Sequence, residues 1–327
     1  IDHYLRSANH VRNVAELTYK VDCDAIVGGG DFVDGGTTKE VNMANMRTVV
    51  SMFGLAKCPF FLCLGNHDDN SWGDGRQGRA TTSVYKVPNA YQKKSTDKSW
   101  HGNMGYVIKP PEMYELITRP STIWDIKENP DDKKGYFYYD VPGKKLRIII
   151  LNPQDVPYNY DTDGTIKYQT INVAGYRQPQ LNWFKETLLS VPEGYHIACF
   201  QHMQWGKRYN ANAEYYPYNW ETVDGLITAY HDGGTFTRSY TDNPDFTSNI
   251  SATFSKGRPI ALLAHGHHHR DKLSTSGGIT NVATGCSAAR PKKEQSDRPL
   301  GQLTEDLWAV CVINTKNSNA IRKFKCC

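Results

Sequence analysis

Four groups of residues carry the chemistry available to this chain: Gly30-Asp31, Gly65-Asn66-His67-Asp68, His202 and Gly266-His267-His268-His269. Between them they offer a carboxylate, an amide oxygen and several imidazoles. Hard oxygen combined with imidazole nitrogen is a donor set for divalent transition metals. Each group taken alone is a weak signal. Gly-Asp is a common dipeptide, Gly-Asn-His-Asp can be a plain turn, and a strand-end histidine is ordinarily structural. The run from His265 to His269 reads equally well as a solvated loop. Taken together and in this order, each directly after a strand-like run, they point to one site.

Those preceding runs are Ala25–Val27, Pro59–Leu64, His196–Phe200 and Pro259–Ala264. Short apolar stretches bounded by Gly or Pro suit strands covered on both faces. Parallel strands present their carboxyl-terminal ends along one edge, where open α/β sheets bind ligands. Around them the pattern alternates. Apolar positions at helical spacing predict helices over Ser7–Tyr19 and Thr38–Leu55, the latter with Val41, Met43, Ala44, Met46, Val49, Val50 and Phe53 as its stripe. A hairpin is expected around Pro142-Gly143, a helix over Gln178–Ser190, and strands at Ile279–Ala283, Leu307–Ile313 and Ala320–Phe324. This is βαβ alternation, hence a largely parallel sheet. Two stretches break the pattern: 69–105, rich in Gly, Asn, Lys and Arg, and the aromatic 203–222. Both read as excursions over the site. With no repeats and no linker, 1–327 reads as one domain.

The order Gly-Asp, Gly-Asn-His-Asp, His, Gly-His-x-His resembles the calcineurin-like metallophosphoesterase superfamily over nearly the whole chain. The resemblance implies a four-layer αββα sandwich of two mixed β-sheets. It also implies two divalent transition metals (Mn, Fe or Zn) about 3.5 Å apart, as in two-metal phosphoryl chemistry. Carried over by residue, Asp31 bridges the two metals. Asn66, His202 and His267 complete one metal site, and His269 goes to the other. His267 and His269 are two apart, so an extended segment would aim both to one side and His268 away. His67 matches the histidine that protonates the leaving group, and Asp34 matches its carboxylate partner, which would fix the imidazole tautomer. Asp34 could instead be a turn residue before Gly35-Gly36. The implied reaction is hydrolysis of a phosphodiester or phosphomonoester by a hydroxide bridging the two metals.

The chain departs from the family pattern in three places. Gly35 stands where the protein Ser/Thr phosphatases carry Arg. Asp34 stands where the purple acid phosphatases carry a metal-binding Tyr. Neither subfamily is expected. The first family motif, Asp-x-His, which supplies two ligands to the metal that His269 also binds, is absent. Asp2 and His3 are the nearest substitutes, but neighbours in an extended chain face opposite ways. The expectation is that the motif lies upstream of Ile1, with a rewired site using Asp2 or His3 as the competing account. A metal-binding but inactive phosphoesterase-like scaffold is the alternative reading of function.

Composition adds bounds. The 327 residues are 39% hydrophobic and 22% charged with a net charge of +4, an ordinary globular profile that makes no case for a nucleic-acid or membrane surface. The expected partner is a small phosphorylated substrate. Arg76, Arg79 and Lys207 or Arg208 are candidates to grip its phosphate, although a solvated basic loop is the ordinary role for such residues. Aromatics such as Trp205, Tyr209, Tyr215, Tyr216, Tyr218 and Trp220 are expected mostly to pack. Cys23, Cys58, Cys63, Cys199 and Cys311 lie in or beside apolar runs, as reduced buried thiols do, which favours a reducing, cytoplasmic setting.

Overall fold

A computed structural model describes residues 2–71, 91–93, 100–102, 104–160, 162, 166–208, 216–287, 307–316 and 321–326. The chain opens with α1 (Asp2–Leu17), β1 (Ile26–Gly28), α2 (Lys39–Phe53) and β2 (Phe60–Leu62). A hairpin of β3 (Tyr91–Lys93) and β4 (Trp100–Gly102) and a short α3 (Pro110–Met113) follow. Then come β5 (Lys127–Glu128), β6 (Phe137–Asp140), β7 (Leu146–Ile150), α4 (Gln178–Leu189), β8 (His196–Gln201) and α5 (Trp220–Asp232). The remaining strands are β9 (Gly234–Tyr240), β10 (Ser248–Phe254), β11 (Ile260–His265), β12 (Lys272–Ser276), β13 (Ile279–Ala283), β14 (Trp308–Ile313) and β15 (Ile321–Cys326).

The architecture is mixed α/β, a single domain around one large mixed sheet. Seven strands run in the order β12-β13-β11-β8-β7-β6-β5, with β13, β11, β8 and β7 mutually parallel. All residues of β7 and β11 are buried, which explains why Pro259–Ala264 reads as an unbroken apolar run: each face is covered. β7 is interrupted by Arg147, whose buried guanidinium pairs with Asp140. One face packs on α4 and α5 through Ile149, Cys199, Leu181, Phe184, Leu226 and Leu263. The other faces Phe61 and Cys63 across a layer with Phe137, Ile148, Ile150 and Leu262. Beyond it, β1 and β2 lie parallel and bury Ile26, Phe60 and Leu62 against Met46, Val49 and Phe53 of α2. The layers therefore run helix, sheet, sheet, helix. Among the described residues β1 and β2 pair only with each other, and β9-β10 and β14-β15 form separate antiparallel pairs.

Local sequence explains the helix limits. Thr38 caps α2 by accepting from the Val41 N–H at 3.3 Å, and Gly54 closes it. The buried stripe is Asn42, Met46, Val49, Val50 and Phe53. Val41 and Ala44, assigned to that stripe above, are exposed instead, because at about 100° per residue they fall off the face that Asn42, Met46, Val49, Val50 and Phe53 share. The first helix starts at Asp2 rather than Ser7, so Asp2 and His3 lie in its first turn. Their side chains fall outside the described residues, as do Arg76, Arg79, Tyr209 and Tyr215. Among the described residues no helix is long and apolar enough to cross a membrane.

Candidate functional site

The four motifs leave strands of two different layers. Gly30-Asp31 follows β1, and Gly65 to Asp68 follow β2, both in the β1-β2 layer. His202 follows β8, and His267 follows β11, both in the seven-stranded sheet. Beside the apolar packing, a hydrogen bond ties the two layers at the site. The His202 Nδ1–H donates to the Gly29 carbonyl at 2.7 Å.

That bond fixes the imidazole tautomer. A carbonyl can only accept, so the proton stays on Nδ1 and the Nε2 lone pair turns to the site. Nε2 lies 2.9 Å from Asn66 Oδ1 and 3.2 Å from Asp31 Oδ2. Asn66 directs its other end, Nδ2, to the Ile171 carbonyl at 3.5 Å, which leaves Oδ1 facing the histidines. His267 Nδ1 stands 3.2 Å from the same Oδ1, and the His202 and His267 rings are 5.3 Å apart. The structure thus brings Asp31, Asn66, His202 and His267 together.

Two close approaches need glycine. A Cβ on Gly65 would lie 2.0 Å from the Asp31 nitrogen, and one on Gly30 would lie 2.8 Å from the Gly65 nitrogen. Gly30 also has φ +89°, which favours a residue without Cβ. Three non-glycine residues at the site also hold left-handed backbone: Asp31 (φ 58°), His267 (φ 61°) and His269 (φ 53°). Such conformations cost about 1–2 kcal/mol each and survive only where the surroundings enforce them. They also revise an expectation. The segment 267–269 is not extended, so strand alternation does not govern where its side chains point. His268 Nε2 instead meets Gln204 Oε1 at 2.8 Å. His265 is buried as the last residue of β11, and His269 is partly buried on the same loop as His267.

Asp68 was quoted above in its motif but given no role, and it turns out to organise the loop. Its buried carboxylate accepts backbone N–H groups from Asp31 (3.1 Å), Phe32 (2.7 Å), Val33 (3.4 Å) and Gly65 (2.8 Å). The only sequence signal was an acidic residue three positions after Gly65 in a turn. The 31–33 segment supplies the other half of the arrangement, and nothing in its sequence marks it as a donor nest.

His67 is held from two directions. Its backbone N–H donates to Asp31 Oδ1 at 3.0 Å, and its Nδ1–H donates to the Asp34 carbonyl oxygen at 2.9 Å. The Asp34 carboxylate lies farther, at 3.7 Å. The expected His67–Asp34 pairing therefore runs through the main chain, with the carboxylate as an outlying neighbour. Nε2 points toward Asp31, 3.9 Å from Oδ2.

Charges in the cluster are interdependent. Burial would raise Asp31, but the His202 and His67 imidazoles beside it hold the carboxyl well below the usual range. Burial opposes a charge on His202, yet Asp31 outweighs it and raises the imidazole. Burial, reinforced by His202, pushes His267 down to about 3, so it stays neutral. Burial next to Asp31 raises Asp68 to about 7 despite its N–H donors.

Among the described residues no three His, Cys, Asp or Glu side chains stand grouped ready around a metal; Asp31 meets His202 directly, and His267 joins them through Asn66. The donor set nevertheless fits a cation. The His202 Nε2 faces an amide oxygen and a carboxylate oxygen at 2.9 and 3.2 Å. Acceptors approach one another that closely only with a proton or a cation between them.

The remaining sequence candidates have other partners. Arg208 is committed to Asp224, Thr228 and the Ser276 carbonyl, and Lys207 lies over the Trp220 ring at 5.9 Å. The described aromatics of 203–222 pack as expected. Trp205 is buried with its indole N–H on the Ala264 carbonyl at 2.9 Å, and Tyr218 stacks on Phe246 at 4.3 Å.

A sequence model of the calcineurin-like phosphoesterases matches residues 6–271. No curated protein sequence gives a match. Among solved structures, the crystal structure of a dimetal phosphatase from Danio rerio aligns at 12% identity and a TM-score of 0.48, covering 85% of this chain and 77% of its own. Phosphopantetheinyl hydrolase from Mycobacterium tuberculosis aligns at 9% identity and a TM-score of 0.38, covering 85% and 83%.

Proposed function

This chain belongs to the calcineurin-like phosphoesterases, metal-dependent hydrolases of phosphate esters, and on that premise we propose that it cleaves a phosphodiester or a small phosphomonoester at the site formed by Asp31, Asn66, His67, His202 and His267. The observation that carries the reading is the lone pair of His202 Nε2, aimed at Asn66 Oδ1 and Asp31 Oδ2 from 2.9 and 3.2 Å. Asp31, Asn66, His202 and His267 would hold one divalent transition metal. Asp31 and His269 would contribute to a second, with Asp31 shared because its two oxygens can serve both. Such ions activate water and neutralise the phosphate's charge.

The chain's own groups do the rest. Gly29 and Asn66 set His202 in one tautomer and one orientation. Asp68 holds the backbone of 31–33 and 65 so that Asp31 keeps its strained geometry. His67 spends its Nδ1 proton on the Asp34 carbonyl, which leaves Nε2 toward the site, 3.9 Å from Asp31 Oδ2. In the imidazolium form, Nε2 carries the proton that passes to the leaving oxygen, as a general acid does.

The test is hydrolysis of bis(p-nitrophenyl) phosphate and p-nitrophenyl phosphate after chelation and after return of Mn²⁺, Zn²⁺ or Fe²⁺. Turnover that vanishes with chelator and returns with metal supports the reading. Metal uptake with no turnover on either ester, or on a wider ester panel, would leave the scaffold reading in its place.

A further inference from the structure

Asn66 is gripped by a turn that lies 104 residues further along the chain. The connection between β7 and α4 reaches back to the motif loop and turns at 170–172, where the Asn172 and Val173 N–H groups both donate to the Gln169 carbonyl, at 2.9 and 2.8 Å. Two neighbours in that turn meet one residue. The Thr170 hydroxyl lies 2.8 Å from the Asn66 carbonyl oxygen, and the Ile171 carbonyl accepts from Asn66 Nδ2 at 3.5 Å. Main chain and side chain of Asn66 are thus held by the same turn.

The turn is anchored on two sides. Toward the motif, Thr170 Oγ1 is 2.6 Å from Asp69 Oδ1 and 3.1 Å from Ser71 Oγ, and the Thr170 N–H donates to Ser71 Oγ at 3.0 Å. The Asp69 carboxyl is fixed in its turn by the Ser71 N–H at 2.9 Å and the Tyr158 hydroxyl at 3.1 Å. On the other side, Tyr168 packs edge-on against Phe246 at 5.3 Å and donates to Asp245 at 2.8 Å, which also takes Lys167 at 2.7 Å. Asn66, Asp69, Ser71 and Thr170 are all buried. In such a place a hydrogen bond is stronger than in water and costly to leave unmade.

The arrangement bears on one choice. An amide side chain can turn either its oxygen or its NH2 to the histidines. Only the oxygen has lone pairs for a cation, whereas the NH2 offers two protons. The Ile171 carbonyl, which can only accept, selects the productive orientation. Its bond to Nδ2 is at the long end for a hydrogen bond, so the position of the turn decides whether the selection holds. Resting on the reading of Asn66 as a metal ligand, we propose that Thr170 is a positioning residue for the metal site: its hydroxyl fixes the turn against Asn66 and Asp69, so that the Ile171 carbonyl keeps Asn66 Oδ1 directed at His202 and His267. Thr170 acts through Asn66 and touches neither metal nor substrate.

The experiment titrates Mn²⁺ into the full chain and two variants by calorimetry, with urea denaturation of each metal-free chain alongside. Thr170→Val keeps the side chain's shape and deletes the hydroxyl, whereas Thr170→Ser keeps the hydroxyl. Thr170→Val should weaken Mn²⁺ binding by roughly 10–100-fold, as removing the partner of a metal ligand does, and Thr170→Ser by less than about threefold. A Thr170→Val chain that loses stability yet binds Mn²⁺ as tightly as the parent would make the hydroxyl a structural bond only and overturn the proposal. A parent chain that takes up no Mn²⁺ overturns the metal reading itself, and this proposal with it. NMR of the unaltered, metal-free chain gives a second readout that stands even if Thr170→Val fails to fold. There the Thr170 hydroxyl proton and the Asn66 NH2 protons should exchange slowly with water, and rapid exchange of either overturns the proposal.

Discussion

The Nδ1 of His67 lies 2.9 Å from the backbone oxygen of Asp34 and 3.7 Å from its carboxylate. The main chain at residue 34 therefore positions the imidazole. The carboxylate, 38% exposed, adds at most a screened charge, worth about 1 kcal/mol or less. Asp34→Asn should accordingly reduce kcat by less than about tenfold. A loss of a hundredfold or more in steady-state assays would mean that the carboxylate, not the carbonyl, holds His67.

Removing the imidazole itself is a different matter. His67→Gln should lower kcat by roughly 10²–10⁴, the range for losing a general acid, while metal content per chain stays unchanged. Elemental analysis beside the kinetics separates the roles, because loss of metal in this variant would make His67 a ligand.

Asp68 has a structural job that metal cannot replace. Asp68→Ala strands four backbone N–H groups in a buried loop and should cost roughly 2–4 kcal/mol of stability. Urea denaturation of the metal-free chain reads this directly. A change below about 0.5 kcal/mol would show that the loop holds its shape unaided.

Proton and metal compete for His202 Nε2. Because Asp31 raises this imidazole, the folded, metal-free chain binds the proton more tightly than the unfolded chain does. That stability is present below the ordinary histidine value of about 6.5 and is lost as pH rises through the raised value. Metal must displace the same proton. Affinity should therefore climb as pH rises up to the raised value and then level off, and metal uptake at mildly acidic pH should release protons. Calorimetric titration in buffers of different ionisation enthalpy measures both. Uptake without proton release would show that Nε2 is not where the cation sits.

How much of this was legible in the residues alone can be stated element by element. The buried runs that became β8 and β11 announced themselves because strands covered on both faces have little polar alternation to disguise them. Gln178 to Leu189 read as a helix for the complementary reason, a clean stripe at Leu181, Phe184 and Leu188. The meeting of Asp31, Asn66, His202 and His267 followed from strand ends, although it takes place across two sheet layers rather than along one edge. What stayed hidden was carried by the backbone. The Gly29 carbonyl on His202, the Asp34 carbonyl on His67 and the N–H groups on Asp68 involve atoms every residue possesses, so no side-chain pattern marks them. The left-handed conformations of His267 and His269 were equally invisible, since alternation assumes an extended chain.

The central claim is most directly tested by anomalous scattering from crystals of the chain grown with Mn²⁺. The account predicts a peak within about 2.0–2.3 Å of Asn66 Oδ1, His202 Nε2, His267 Nδ1 and an Asp31 oxygen, with a second peak beyond Asp31 toward His269. A map with saturating Mn²⁺ that shows no density among those four residues, or places the ion elsewhere, would contradict it.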